Sequence, residues 1–565
     1  MLFLDFSKYL ARIETETSRL KMTEILADLF KQMSPKESRY AVYLLQGQIL
    51  PPFFGYDFNI GEKTILNILE SYTRDAEKIF QKTGDLGLTT EYVLKHNYQN
   101  AFFKSKLDII DVYNLIYKIS KISGEGSQNM RKKYLLGLLN NCSPIEAKYV
   151  VRIISKNLRL GFADATILDA LSWLKKGDKT LREMLERAYN VRADLGYVVE
   201  VFLSNPELVK SIDIEPFIPL RPALAERLKN VHEIYEKLGK CAVDFKYDGF
   251  RMQVHKKGNE VRIFSRKLER IDYMFPDIKE RIKELNIDRI IFEGEALAFN
   301  QKEDKFFTFQ ETMHRRRKYG IKKASEEWPL NLYIFDVMFN GESLIDKPFI
   351  DRRKYLESIE LPENIYLTHL EIANNEQDIK RMFDTALSKN LEGIIAKKLD
   401  APYKAGKRDF VWIKLKKSYG KEIDTIDGVI VGYYRGTGSR TNLLGGVLLA
   451  VYNDELDRFE TIAKVGSGFT EEEMMDLLER LERIKIQTPD KNLFFKQHPD
   501  FWVKPEIVIE VAYDEITNSP LHTCSYEDGK GLSLRFPRFV RFRFDKSKYN
   551  ITTSNEVREM KNEYM

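Results

Sequence analysis

The chain has 565 residues, 43% of them apolar and 31% charged, and its 90 basic residues against 85 acidic ones leave a net charge of only +5. That length calls for several domains, that composition is soluble and globular, and so small a net charge leaves any nucleic-acid argument to local basic clusters. Three widely separated cysteines without a CxxC pair exclude a zinc knuckle and a disulfide framework. Asp5 and Lys8 break the N-terminal apolar stretch too early for a signal peptide, and no apolar run reaches membrane-spanning length. A cytoplasmic protein without a membrane partner is expected.

Residues 1–215 read as helical. "SPKESRYAVYLL" from Ser34 and "SPIEAKYVVRII" from Ser143 each open as a capping box, with Ser at the N-cap, Pro next and Glu third inside the helix. They stand 109 residues apart, and the same offset carries "DLG" at 85–87 onto "DLG" at 194–196. Two related helical halves, an internal duplication, are expected.

The texture changes at "EPFIPLRPALAE", and short strands mix with helices up to about residue 417. In "VDFKYDGFRMQVH" (243–255), Val243, Phe245 and Tyr247 alternate with Asp244, Lys246 and Asp248, the pattern of a half-buried strand. Asp248 and Gly249 form a turn signal, which predicts a hairpin with Arg251 to His255 as its second strand. After "KKSYGKEID" come "GVIVGYYRG", "GGVLLAVYN", "RFETIAKVG" and "EIVIEVAYDEI", with helical turns near 471–484 and a short helix in the tail after Lys548. This predicts a small closed barrel, with an OB-fold leading.

The chemistry starts with Lys246. A lysine is a nucleophile only when neutral, and nearby cations such as Arg251 would lower its pKa. An ion pair with Asp244 or Asp248 on a strand edge is the plain alternative. "IIFEGEALAF" sets Glu293 and Glu295 on one strand face, which suits a hard divalent cation, although solvated sheets carry such pairs too. "LEGIIAKKL" offers Glu392 and Lys397 around a glycine that would let a ligand approach the backbone. "FVWIKLKKSY" puts Trp412, Lys414 and Lys416 on one face, where a polyanion would relieve the repulsion. No GxxxxGK[ST], GxSxG or HExxH occurs, so phosphate would be handled by lysines and arginines on strands.

"KYDGFR", "SRKLE", "FEGEA", "YIFDVMF", "EGIIAK", "WIKLK" and "RFPRFVRFRFDK" follow one another in the order of the covalent nucleotidyltransferases, beginning with KxDGxR. With "GEGSQNMRKKYLLGLL" and "LRLGFADATILDAL" in the helical part, the whole chain resembles the ATP-dependent DNA ligases of archaea and, more distantly, eukaryotes. RNA ligases and capping enzymes normally lack the long helical module. A catalytically silent DNA- or clamp-bound scaffold would not need Lys246, Glu295, Glu392 and Lys416 together.

The resemblance implies an all-α DNA-binding domain (1–215), an α+β, ATP-grasp-like adenylation domain (216–417) and an all-β OB-fold (418–565). It implies sealing of 5′-phosphate/3′-hydroxyl nicks in replication, repair and recombination, through AMP held on Lys246. Asp244, Arg251, Arg266, Glu295, Phe335, Arg408 and Lys414 would bind the nucleotide. Phe335 would stack on adenine, and Mg²⁺ (Mn²⁺ as the alternative) would sit on Glu295 and Glu392. Asp248, Lys397 and Lys416 would complete the site. Arg543, Asp545 and Lys546 would orient the pyrophosphate when the barrel closes about a hinge at 416–422, with Gly420 absorbing the change. "HRRRK" (314–318), "MRKK" (130–133) and "GEGS" (124–127) are candidate contacts to nicked duplex DNA. Gln99, Phe102 and Phe103 resemble a sliding-clamp box. A monomer in an archaeal, nucleoid-associated setting is expected.

Overall fold

The computed structural model describes residues 1–96, 106–300, 305–307, 312–315, 317, 320–389, 391–416, 425–436 and 444–562. Gln99, Phe102, Phe103 and, in the expected hinge, residues 417–422 with Gly420 lie outside the described residues. The chain forms two compact units, Met1–Lys416 and Lys417–Met565.

The first unit opens with helices α1 (Phe3–Glu14), α2 (Arg19–Lys31), α3 (Pro35–Leu45), α4 (Glu62–Leu69), α5 (Ala76–Thr83) and α6 (Leu86–His96). Then follow α7 (Ile109–Lys121), α8 (Ser127–Asn141), α9 (Pro144–Ile154), α10 (Asp164–Lys176), α11 (Arg182–Val191) and α12 (Leu195–Ser204). Both capping boxes form at the starts of α3 and α9. The duplication is visible in the packing, because each half lends its "DLG" helix to the other: α6 packs on α9 and α12 on α3. At equivalent places a glycine meets the partner helix. A Cβ on Gly87 would lie 2.6 Å from Arg152 Cγ, and one on Gly196 would lie 2.5 Å from Tyr43 Cε1. Arg152 donates to Asp85, while Tyr43 donates to Asp194 at 2.8 Å. One apolar core, with Phe3, Leu26, Tyr43, Ile116, Tyr149 and Val199, runs through both halves.

Eleven strands follow among the described residues of this unit. They are β1 (Leu224–Arg227), β2 (Cys241–Lys246), β3 (Phe250–Lys257), β4 (Glu260–Ser265), β5 (Arg289–Asn300), β6 (Lys305–Phe306), β7 (Leu330–Phe339), β8 (Ile365–Leu367), β9 (Leu370–Ala373), β10 (Gly393–Lys398) and β11 (Arg408–Lys416). They build one sheet in the order β1-β11-β10-β2-β9 and a second in the order β4-β3-β5-β7-β8, with β6 beside β5. Ile291, Met338 and Phe339 of the second sheet pack with Trp412 and Ile395 of the first.

The predicted hairpin is not there. β2 pairs with β9 and β10, whereas β3 pairs with β4 and β5, so residues 247–249 cross from one sheet to the other. The crossing is tight: a Cβ on Gly249 would lie 2.2 Å from the Ala296 carbonyl oxygen. Nor is β2 half-buried. It lies inside its sheet with helix Glu376–Ser388 against it, and every residue but Lys246 is buried, Asp244 included. The alternation therefore marks two covered faces, one of them polar.

In the second unit, Thr425–Arg435 is the central strand. It pairs with Leu444–Asn453 on one side and with Phe501–Val503 and Val508–Ala512 on the other; Val508–Ala512 in turn pairs with Arg538–Phe542. The sheet curls until the Phe539 N–H reaches the Ser467 carbonyl at 2.8 Å, giving an OB-type half-barrel. Helix Glu471–Arg483 buries Met474, Leu477 and Leu481 in its core, and Ser554–Asn562 forms the tail helix.

Candidate active site

Strand pairing aligns the polar face of the first sheet in rows. Lys246, Gly393 and Lys416 stand side by side on β2, β10 and β11, and Asp244, Ile395 and Lys414 form the next row. Gly393 carries no side chain, so the row between the two lysines stays open. Glu392 precedes β10 and is held by its own N–H, which donates to the Lys246 carbonyl at 3.1 Å. Its carboxylate takes Lys246 on one oxygen and Lys416 on the other. The Lys246 side chain is only 20% exposed, so it does not project into bulk water.

Burial is the main reason that the Lys246 pKa falls below an ordinary lysine's; Glu295 and Asp248 oppose the shift, and Arg266 and Arg251 add to it. The neighbouring cations, expected from the sequence to be the cause, are secondary. Lys414 is lowered likewise, first by burial and then by Lys246 and Arg408.

The second sheet supplies the facing groups. Arg251 on β3 stands opposite Glu295 on β5. Burial pushes the Glu295 carboxyl up to about 7, and it accepts the Gly249 N–H at 3.1 Å. Phe335 is an extra residue in β7: the register with β5 passes from Glu293–Asp336 to Gly294–Ile334 and skips it. This bulge leaves the ring half-buried, edge-on to Trp412 at 6.0 Å and beneath the Arg251 guanidinium. Arg352 grips Asp336 through two hydrogen bonds of 2.8 and 2.9 Å and so pins the bulge from behind.

Several candidates have protein partners in this geometry. Lys397 is buried, pairs with Asp244 and donates to the Phe335 carbonyl at 2.9 Å. Asp244 also accepts from Thr368 at 3.1 Å. Glu293, the neighbour of Glu295, is committed to Arg251 at 2.8 Å and Tyr403 at 2.7 Å. Arg266 and Arg408 are exposed; Arg408 donates to the Ala225 carbonyl at 3.3 Å. Two basic runs also turn partly inward. Arg131 of "MRKK" is buried against the Ile122 carbonyl, and Arg315 of "HRRRK" is buried on Asp277 and Ser325.

Tyr403 was not singled out in the sequence. Buried, it donates to Glu293 while accepting the Ala223 N–H at 3.0 Å, and Arg251 donates to the Ala223 carbonyl at 2.8 Å. The only local signal was a lone aromatic in "APYKAGKR" ahead of β11.

In the second unit, Arg543, Asp545 and Lys546 lie together just beyond strand Arg538–Phe542. Arg543 bonds both oxygens of Asp427 at 2.8 and 2.9 Å and also Asp545; Lys546 bonds Asp427 at 2.7 Å. Arg541 is held apart on Glu510 at 2.6 Å.

Residues 2–172 match the family model for the DNA ligase N terminus, 222–416 that for the ATP-dependent DNA ligase domain, and 440–546 that for the ATP-dependent DNA ligase C-terminal region. The chain belongs to the ATP-dependent DNA ligase family. Among similar family members, a probable DNA ligase of Dictyoglomus turgidum is 43% identical, covering 99% of this chain and 97% of that protein. DNA ligase 2 of Thermofilum pendens is 41% identical, covering 97% and 95%. The DNA ligase of Acidianus ambivalens is 41% identical over 99% and 97%. A solved structure described as Pmar-Lig_PreS3 shares the ligase fold, with TM-score 0.57 and 17% identity over 95% of this chain and 99% of its own. No helix among the described residues of this ligase is long and apolar enough to cross a membrane.

Proposed function

We propose that this ligase joins nicks in duplex DNA by carrying AMP on Lys246. The Lys246 amine, neutral once its proton is lost, attacks the α-phosphorus of ATP; the bond to the β-phosphate breaks and pyrophosphate leaves with the electron pair. A 5′-phosphate oxygen at the nick then attacks that phosphorus, and the nitrogen–phosphorus bond breaks to return the Lys246 amine; attack by the 3′-hydroxyl on the 5′-phosphorus forms the phosphodiester and expels AMP. The observation that supports this most is the row of Lys246, Gly393 and Lys416 on the Glu392 carboxylate, with Lys246 buried and its pKa lowered.

Phosphoryl transfer needs positioning and charge neutralisation more than acid–base work. Lys414, Lys416, Arg251 and Arg266 supply positive charge; Asp244, Phe335 and Arg408 complete the nucleotide site, and Asp248 and Lys397 support it. Glu295 and Glu392 fit a hard divalent ion. Their oxygen donors suit Mg²⁺ or Mn²⁺ with phosphate oxygens completing the shell, and a cation would displace the proton that burial keeps on Glu295. Such an ion would neutralise developing phosphate charge. Arg543, Asp545 and Lys546 orient the pyrophosphate.

The domain division at about 215 and 417 belongs to the same reading, as does DNA held by the duplicated helical part. So do a sliding clamp engaged through Gln99, Phe102 and Phe103, a monomer, and a cytoplasmic, nucleoid-associated setting in replication and repair. The mass of the intact chain, measured before and after incubation with ATP and Mg²⁺, tests the central step. An AMP adduct that survives denaturation and is lost in Lys246→Ala is expected; an adduct retained by that variant would overturn the assignment.

A further inference from the structure

The cationic groups assigned to the pyrophosphate are already occupied in the second unit. The Arg543 guanidinium spends Nη1 on both Asp427 oxygens, and Nε and Nη2 on Asp545 at 3.0 and 2.8 Å. Most of its five N–H groups are engaged while those bonds stand, and a phosphate must displace or share an existing partner. Lys546 shares the same Asp427 carboxylate, and its N–H donates to the Arg543 carbonyl at 3.2 Å, which keeps both side chains in one turn. Glu510 is no substitute acceptor, since it takes Arg541 at 2.6 Å and Thr425 at 2.8 Å and stands 3.9 Å from Arg543. Arg541, Arg543 and Lys546 are thus balanced by Asp427, Glu510 and Asp545. A polyanion gains little from this group until one carboxylate is exchanged.

Asp427 is the carboxylate placed to be exchanged. Its side chain is 11% exposed, and its carboxylate bonds the side chains of both Arg543 and Lys546. Its backbone is anchored independently, with the Asp427 N–H on Thr552 Oγ1 at 3.0 Å and the Thr552 N–H on the Asp427 carbonyl at 3.1 Å. We propose that Asp427 is a positioning residue that stores Arg543 and Lys546 and competes with the pyrophosphate of ATP for them, so that it sets the ATP concentration at which the ligase adenylates itself. This rests on the reading that Arg543 and Lys546 meet the pyrophosphate.

The test uses the full chain. Single-turnover self-adenylation with α-labelled ATP is followed across ATP concentrations, and tripolyphosphate binding is measured by calorimetry without chemistry. D427N and D427S both empty the store, and two variants guard against one that folds poorly. Each is expected to lower half-saturating ATP by about two- to fivefold, the scale of one partly exposed charge contact, with little change in the plateau rate. Each should also tighten tripolyphosphate binding. D427E, which keeps the charge, should return both values toward those of the natural protein, which a merely structural role would not require. R543A separates the two levels of the argument. If it raises half-saturating ATP while D427N and D427S raise it too or leave it unmoved, Asp427 supports the cations and the proposal is overturned. If R543A has no effect on ATP use, the pyrophosphate reading itself fails and takes the proposal with it.

Discussion

Lys246 and Glu295 carry opposite consequences of the same burial. Loss of water lowers the lysine's pKa and raises the carboxyl's to about 7, because both charged forms are penalised. Self-adenylation needs the neutral amine, so its rate should rise with pH and level off below the ordinary lysine value of about 10.4. Arg266→Ala removes a cation that contributes to the lowering, and should move that plateau to higher pH in single-turnover measurements at saturating ATP. Glu295 works the other way. As pH falls through about 7 it takes up a proton that a metal must displace, so the Mg²⁺ concentration for half-maximal adenylation should rise on acidification. A requirement flat across that range would show that Glu295 does not hold the metal. These residues were legible because their chemistry travels in short motifs. Tyr403 was not, since a phenol has no evident role until the fold sets it between Glu293 and Ala223. Tyr403→Phe strips a donor from a buried carboxylate and an acceptor from a buried N–H, at a cost of about 1–3 kcal/mol each. It should lower the unfolding midpoint and, by loosening Arg251, raise half-saturating ATP.

At the scale of elements, the difference between the expected hairpin and the observed crossing shows what local signals leave open. Asp248 and Gly249 announce a turn, and the chain does bend there, at Gly249. Which strand is met beyond it depends on β5 and β10, which lie far away in sequence. Capping boxes at Ser34 and Ser143 were each settled within one helical turn, and both form. The Phe335 bulge lay between these cases: the aromatic motif was visible, but the skipped register that aims the ring needs the partner strand. The crossing also makes a prediction. Gly249→Ala would drive a Cβ into the Ala296 carbonyl at 2.2 Å, where a backbone atom must give way. The shift would fall between Lys246 and Arg251, on opposite sides of the gap. About 1–3 kcal/mol of stability should be lost, and the adduct yield should fall further than the unfolded fraction explains. Equal losses in yield and folding would mean that the crossing is only structural.

For the whole molecule, the duplicated helical part ties its halves together by exchange rather than by stacking one beside the other. Adding the 109-residue offset to Arg39 and Tyr43 leads to Lys148 and Arg152, and these are the residues that meet Gly196 and Gly87 respectively. The chemistry of the two contacts has diverged: Tyr43 donates a single bond to Asp194, whereas Arg152 bonds Asp85 and also lies 3.0 Å from Glu14. The steric requirement for glycine has not. Repeats were readable because capping and "DLG" survive as strings, while the swapped pairing of α6 with α9 and α12 with α3 is tertiary and left no string. Because both contacts brace one continuous core, Gly87→Ala and Gly196→Ala should each lower the same unfolding transition, by about 1–3 kcal/mol. The double variant should lose roughly the sum, as separate contacts in one cooperative body do. Denaturant unfolding followed through Trp173 on α10, which packs against that core, reads this directly. Two separate transitions, one moved by each glycine, would show that the halves fold apart and that the exchange does not bind them into one body.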